Sequence, residues 1–298
     1  MTVRGEADGV NRRAWLLFAL VSVLWGIPYL LIKVAIEDLS PLLVVAGRAA
    51  VAAAVLIPVA AMRGTLGALR GRLPLVTLLA MVHVVVPFLL ITYGEQHITS
   101  SLTGILIAVE PAVIALLMMR AEPLTPGRWV GLALGFAGVV VLLGVDLSGD
   151  VLGAVMVLLA AVSYAVATIV VQRRAADVPP EALSVGTTGI SALVLVPLSL
   201  TVLPAGPVGL DSWAALAALG VLCTAVAFLA FYRLIGLVGS TRAGLVTYVN
   251  PVVAVLLGVT LLDEPVGVGT VAGFTLVVAG CWLSTRSVKT RIPDPVAA

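Results

Sequence analysis

The chain alternates long apolar stretches with short polar or charged breaks along almost its whole length. Each apolar stretch is close to the ~20 residues that an α-helix needs to cross a hydrocarbon core of ~30 Å. The charged residues and the Pro/Gly clusters between these stretches predict an all-α integral membrane protein with ten transmembrane helices. The predicted spans are 14–34, 41–62, 74–94, 101–119, 127–145, 151–171, 181–203, 213–235, 241–261 and 266–284.

Composition agrees with this pattern and excludes a soluble domain. Hydrophobic residues make up 61% of the 298 residues and charged residues 11%, whereas soluble domains carry about 25% charged residues. The net charge of +2 is uninformative in such a protein, and no nucleic-acid partner is implied. Cys223 and Cys281 both lie in apolar runs, so we expect them to pack rather than to form a disulfide or bind a metal. No cofactor is predicted.

Loop charges indicate how the chain is oriented. If loops alternate between the two sides of the membrane, nearly all Lys and Arg side chains fall on one side and Lys33 falls opposite, together with loop acids such as Glu95 and Glu264. The positive-inside bias makes the cation-rich side cytoplasmic. Both tails, 1–13 and 285–298, are therefore predicted to be cytoplasmic. The basic start of the first stretch is typical of a signal sequence, but the run continues past Pro28, so we predict a span.

The sequence also matches itself at a nearly constant offset. Pro41 and Pro180 are 139 residues apart, and Pro111 and Pro251 are 140 apart. Five spans in each copy would insert the second copy upside down, and corresponding loops of the two copies carry opposite charge, as in the inverted repeats of secondary transporters. A duplicated bundle without a transport role is the alternative. The predicted repeats are residues 14–145 and 151–284.

Three segments carry a family resemblance: WGIPYLLIKVA near the start, VEPAVIALLMMRAEPLTPGRWVGLALGFAGVVVLL, and VNPVVAVLLGVTLLDEPVGVGTVAGFTLVVAGCWL. They resemble the EamA-like ten-helix members of the drug/metabolite transporter superfamily. This resemblance implies two five-helix halves around a central cavity lined by spans 1–4 and 6–9. It also implies export of amino acids, metabolites or drugs across a bacterial inner (plasma) membrane. The Glu-Pro pair of span four is similar to that of some amino-acid exporters in the family.

Three ionisable side chains share one layer of the predicted bundle. At 1.5 Å per residue, Arg48, Glu110 and His83 lie about 10.5, 13.5 and 16 Å below the non-cytoplasmic boundary. Ionisable groups at this depth normally face a bundle interior or a wet cavity. Arg48 and Glu110 together could bind an amphoteric substrate, and Glu110 could instead carry a coupling proton. A static ion pair between two helices is the purely structural alternative, and a hydrogen-bonded neutral imidazole is the alternative for His83.

Aromatic and kink positions complete the candidate site. We predict that Pro111 and Pro251 bend spans four and nine, because each removes a backbone donor. Tyr93 and Tyr232 are predicted gates at opposite ends of the cavity, although ordinary packing is the alternative for the aromatic residues. The candidate substrate-binding residues are Trp25, Arg48, His83, Glu110, Tyr164, Tyr248 and Asn250.

The sequence predicts a secondary transporter for small organic metabolites that works by alternating access, with proton coupling left open. It contains neither an HExxH pattern nor a Walker GxxxxGK[ST] loop, so a metalloenzyme or an ATP-driven pump is not expected. An uncoupled facilitator or channel is the main alternative, and an intramembrane enzyme is a further one. The expected partners are the lipid bilayer and a small-molecule substrate, and both a monomer and a homodimer remain open.

Overall fold

The computed structural model describes residues 3–120, 124–146, 151–238 and 244–285, and these residues form helices joined by short turns. Segments labelled a and b belong to one interrupted helix. The α-helical segments are α1a (Val3–Gly26), α1b (Pro28–Ala35), α2 (Pro41–Met62), α3 (Leu73–Gly94), α4a (Ser100–Ile107), α4b (Glu110–Met118), α5 (Pro126–Asp146), α6 (Val151–Arg174), α7 (Pro180–Ser199), α8 (residues 210–238), α9 (Asn250–Leu261) and α10 (Val268–Thr285). Short 3₁₀ turns occupy Leu66–Leu69, Leu200–Val202 and Gly244–Tyr248.

The helices have the length and composition of membrane spans. Within the described residues, seven helices are long and apolar enough to cross a membrane. Three shorter apolar helices cover Pro126–Leu142, Val246–Leu261 and Val268–Ser284. Together with the exposed apolar side chains around the bundle, these helices define an all-helical integral membrane protein. The count of ten spans stays a prediction.

Proline starts several helical segments in the interior of the bundle. Pro28 begins α1b directly after α1a, Pro111 lies in the first turn of α4b, and Pro251 lies in the first turn of α9. The missing N–H and the fixed φ of proline suit the first turn of a helix, but they interrupt a continuous helix. Near Pro111 the α-helix gives way to a tighter turn at Ala108 and Val109, whose amides bond to carbonyls three residues back, and Pro251 lies at the start of α9 after the 3₁₀ turn Gly244–Tyr248.

Two helices contain a wide π-helical turn that the hydrophobic pattern did not predict. One covers Met81–Val85 within α3, and the other covers Val221–Val226 within α8. The amide of Val86 bonds to the carbonyl of Met81, so one residue more than usual is enclosed. Such turns occur frequently at functional sites. The first includes His83, and the second includes Thr224, whose role is described below.

Loop contacts define two ends of the bundle. At the first, here called the acidic end, Asp38 after α1b accepts hydrogen bonds from the Gly209 amide (2.8 Å) and from the Ser212 hydroxyl (2.9 Å). At the opposite end of α2, here called the basic end, Arg63 pairs with Glu181 and Arg72 pairs with Asp177. The turn between α2 and α3 thus lies at one end of the bundle, and its counterpart between α7 and α8 lies at the other.

Helices four and nine meet at the acidic end and separate toward the basic end. The α4a segment is buried from Ser100 to Leu106 and packs directly on α9. A Cβ atom at Gly104 would lie 2.5 Å from the Cβ of Ala254, so the close approach requires glycine there. In α4b only Ala112 is fully buried, and this segment packs mainly on α6 and α10. The acidic end is therefore the more tightly closed one.

Candidate functional site

Arg48 lies in the middle of α2 and is 8% exposed. Its Nε donates to Oγ1 of Thr224 at 2.9 Å, and its Cζ lies 3.8 Å from the centroid of the Phe88 ring. Two glycines permit this close approach of α2 and α8: a Cβ atom would lie 2.8 Å from a methyl group of Leu216 at Gly47 and 2.6 Å from the side chain of Val51 at Gly220.

The remaining guanidinium nitrogens of Arg48 are its most significant feature for binding. Within the described residues, the Arg48 side chain makes one hydrogen bond to the protein, which is the bond from Nε to Thr224. Two terminal nitrogens therefore remain for a ligand. A guanidinium offers planar, bidentate donors that match a carboxylate or a phosphate. A cation in this layer of a membrane protein normally has a partner, so the geometry suits an anionic group of a substrate.

Glu110 occupies the start of α4b, beside the interruption of helix four. Its Oε1 accepts a hydrogen bond from the Thr168 hydroxyl of α6 at 3.1 Å. As far as the described residues go, Arg48 and Glu110 make no ion pair with each other, because each side chain bonds to a threonine instead. The static brace is thus absent from this conformation.

An aromatic cluster lies next to these polar groups. The His83 ring stacks on Phe228 with centroids 6.0 Å apart and meets the edge of Tyr164 at 5.9 Å. Trp25 lies 6.3 Å from Phe228 and 4.6 Å from Phe231. The cluster joins α1a, α3, α6 and α8. His83 therefore contacts rings, which differs from the hydrogen-bonded imidazole considered in the sequence analysis.

The second copy supplies an amide at the position that corresponds to Glu110. With its nitrogen oriented toward these oxygens, the Asn250 side chain donates to the carbonyls of Val246 (2.8 Å) and Ser22 (3.1 Å), which ties α9 to α1a. Tyr248 ends the 3₁₀ turn before α9 and packs against the cluster that contains Ile105 and Leu106. The contacts of Asn250 and Tyr248 therefore connect α9 and the turn before it to neighbouring helices.

The predicted gate residues differ in what can be described of them. Tyr93 is exposed at the acidic end, whereas the contacts that close this end come from other residues. The side chain of Tyr232 lies outside the described residues. Both gate assignments stay predictions.

The neutral partners of the charged groups are not evident from the sequence. Thr224 bonds to Arg48, Thr168 bonds to Glu110, and Phe228 lies between His83 and Trp25. The available signal was a hydroxyl inside an apolar span. That signal is weak, because most such hydroxyls, including those of Thr187 and Thr260, bond to their own helix.

The site as a whole offers one cation, one carboxyl group and several ring faces. It therefore suits a small molecule that carries both an anionic and a cationic or hydrogen-bonding group on an apolar body. The described residues include no group of three or more His, Cys, Asp or Glu side chains able to hold a metal ion.

Comparison with known proteins identifies the class. The model of the EamA-like transporter family matches the chain twice, over residues 12–144 and 151–286. The chain belongs to the EamA-like transporter family, and the resemblance noted in the sequence is confirmed. It is a membrane transporter by class.

The similarity to relatives covers most of the chain. It is 31% identical over 258 residues to YedA of Escherichia coli K12, which is described as an uncharacterized inner membrane transporter, with 83% of this chain and 82% of YedA covered. It is 26% identical to an uncharacterized transporter of Archaeoglobus fulgidus over 92% of this chain and 99% of that protein. A crystal structure with 24% identity superposes with a TM-score of 0.66, covering 91% of this chain and 96% of that one, which shows a shared fold.

Proposed function

We propose that this protein is a secondary transporter that exports small amphoteric metabolites, such as amino acids, across the bacterial inner membrane by alternating access. In this proposal, the two copies matched by the family model are inverted five-helix repeats, which together form ten spans around one central cavity. The basic end and both termini face the cytoplasm, in agreement with the positive-inside bias. The inner membrane location is supported by the similarity to YedA, which is described as an inner membrane transporter.

The observation that carries the proposal is the presence of Arg48 and Glu110 inside the bundle, at a similar predicted depth and beside the interruption of helix four. Arg48 retains donors for an anionic group, and Glu110 has a single hydroxyl partner at 3.1 Å. An α-carboxylate on Arg48 and an amine near Glu110 would satisfy both groups. The adjacent rings would hold an apolar side chain.

The contacts of helices four and nine support a conformation that is closed at the acidic end. The α4a segment packs on α9, whereas α4b packs away from it. Because α4a and α4b are separate segments, one can move while the other keeps its contacts. In the proposed cycle this conformation takes up substrate from the basic, cytoplasmic end.

The opposite positions of corresponding turns support the inverted arrangement. Leu69, between α2 and α3, lies against Gly186 of α7, whereas Val208, between α7 and α8, packs with the cluster that contains Leu39. Leu39 precedes α2 and Leu69 follows it. Two similar halves with opposed orientation would give two states of similar energy, one open to each side.

Counterflow in proteoliposomes tests the transport mechanism. Vesicles loaded with an unlabelled amino acid should accumulate the same labelled amino acid, with a panel of amino acids pre-screened by thermal shift. Arg48→Gln should abolish counterflow of substrates that carry a carboxylate, whereas Arg63→Gln, at an exposed basic-end residue, should retain it. Uptake without trans-acceleration would support an uncoupled channel instead.

A pH gradient tests the coupling separately. Glu110→Gln should lose accumulation driven by the gradient but keep exchange, because the amide preserves the shape and cannot carry a proton. Glu37→Gln is the matched control, since Glu37 is exposed. Normal accumulation by Glu110→Gln would exclude coupling through this residue.

A further inference from the structure

A second carboxyl group is buried at the acidic end, outside the site described above. Glu95 follows the last residue of α3, and its side chain is 0% exposed. Within the part of the chain that the structure describes, neither of its carboxylate oxygens has a hydrogen-bond partner. From the sequence, Glu95 is predicted to be one of the acids of the non-cytoplasmic loops, because loop charge indicates a side of the membrane and carries no information on burial.

Three charged side chains face Glu95 from the surrounding elements. Lys33 comes from α1b, Glu264 from the turn after α9, and Arg48 from α2, and the phenol of Tyr29 also lies in this environment. The Lys33 ammonium donates to the main-chain carbonyl of Glu95. It does not pair with the carboxylate within the described contacts, and Arg48 bonds to Thr224.

The Glu264 carboxylate forms hydrogen bonds with the start of α4a rather than with Glu95. Its oxygens accept from the amides of Ser100 (2.7 Å) and Ser101 (2.9 Å) and from the Ser101 hydroxyl (2.5 Å). These amides are the free donors at the start of α4a, and a helix N-terminus stabilises an anion. Glu264 thus has the hydrogen-bond donors that a carboxylate requires, whereas the Glu95 carboxylate has none among the described residues.

An ionised Glu95 would be a buried negative charge without a hydrogen-bond donor, because Lys33 bonds to the Glu95 carbonyl and Arg48 bonds to Thr224. Burial of a charge without hydrogen bonds is unfavourable, and such a group takes up a proton instead. A neutral carboxylic acid removes this cost. Lys33 of α1b and Glu264 of the turn after α9 lie near Glu95, and Glu264 also bonds to the start of α4a at the acidic end.

We propose that Glu95 is a proton-binding site that controls closure of the acidic end. When this end opens, water reaches the carboxylate and the proton leaves to the aqueous phase on that side. When it closes, a proton from the same phase bonds to a carboxylate oxygen, and the neutral group is buried. The inference rests on the proposed alternating access, but the proton on Glu95 is a separate matter from coupling at Glu110.

Infrared spectroscopy of the full-length protein in lipid nanodiscs tests the protonation directly. Wild type and Glu37→Gln should show the carbonyl stretch of a buried protonated carboxylic acid at neutral pH. The wild-type minus Glu95→Gln difference should contain this band, and it should persist in a Glu110→Gln background. A difference spectrum without the band overturns the proposal, whatever the outcome of the counterflow experiment.

Thiol labelling tests the control of closure. The probe is a membrane-impermeant maleimide applied to Thr103→Cys in a Cys223→Ala, Cys281→Ala background, because Thr103 is fully buried in α4a. Its labelling rate is divided by that of an exposed Glu37→Cys variant. This ratio should fall as the pH is lowered. The fall should not exceed about tenfold per pH unit, which is the largest change that uptake of one proton can cause.

Variants of Glu95 separate this mechanism from a general effect of pH. Glu95→Gln should label slowly at every pH, because the amide imitates the protonated acid. Glu95→Asp should retain the pH dependence, which keeps the test valid if the amide folds poorly. An unchanged pH dependence in Glu95→Gln overturns the proposal, and so does a labelling rate that does not depend on pH when Glu95 is present.

Discussion

The two ends of the bundle are held together by different kinds of polar contact. At the acidic end, the Glu264 carboxylate is enclosed at the start of α4a and bonds to buried groups. At the basic end, the side chain of Arg63 is 40% exposed in its pair with Glu181. Exposed pairs contribute about 0–1 kcal/mol, whereas removal of a buried partner costs more. The acidic end is thus the stronger closure, which is the asymmetry that the proposed alternating access requires in any single state.

Removal of the Glu264 carboxylate should have the largest effect on this asymmetry. Glu264→Ala leaves the amides of Ser100 and Ser101 without acceptors, so we expect a loss of roughly 2–3 kcal/mol in stability. Thermal unfolding in nanodiscs measures this loss, and labelling of Thr103→Cys should accelerate. Glu37→Ala, at an exposed residue, is the control. A stability equal to that of the control would contradict the role of the contact.

A steric change at the helix crossing should come next. Gly104→Ala places a Cβ atom 2.5 Å from that of Ala254, so α4a and α9 must move apart. Overpacking of this kind costs about 1–3 kcal/mol. The matched control is Gly127→Ala, where a Cβ atom meets nothing within 4 Å. We expect lower thermal stability and faster labelling at position 103 only for Gly104→Ala; equal behaviour of the two variants would refute a tight crossing.

Loss of one hydroxyl at the acidic end should have a smaller effect. The Ser212 hydroxyl donates to Asp38 at 2.9 Å and lies 3.2 Å from the Val34 carbonyl. Ser212→Ala should lower stability by about 1 kcal/mol, because Asp38 keeps the Gly209 amide as a donor. Thr275→Ala serves for comparison, since that exposed hydroxyl bonds to its own helix at Val271. Denaturation of both variants in the same lipid would separate them.

Removal of an ion pair at the basic end should have the smallest effect on stability. Two hydrogen bonds from Arg72 hold the pKa of the Asp177 carboxyl below its ordinary value. A lowered pKa in the folded state stabilises above the unfolded-state value, and this contribution is lost as the pH falls through the acid range. Arg72→Gln should return the pKa of Asp177 toward the ordinary value, as followed by NMR of labelled aspartate carboxyls. High salt should do the same in wild type, because the pair is exposed; a salt-independent pKa would argue against this assignment.

The sequence predicted those features that depend on patterns repeated over many residues. Apolar runs located the helices, and Pro111 and Pro251 marked the interruptions because a proline acts on its own backbone. The partners across helices were not predictable, since the choice of Thr224 for Arg48 depends on how α2 and α8 are rotated about their axes. The burial of Glu95 was hidden for the same reason: a loop acid carries no local sign of what packs over it.

The wide turns of α3 and α8 have a consequence for how this chain tolerates change. One additional residue in a helix rotates everything that follows by about 100°. Met81–Val85 and Val221–Val226 occupy corresponding places in the two copies, so both copies carry the same rotation. Deletion of one residue from either turn would restore regular geometry and yet misalign Tyr93 in the first copy or Phe228 in the second. The π-helical turns therefore give the residues that follow them the same rotation about the helix axis in both copies.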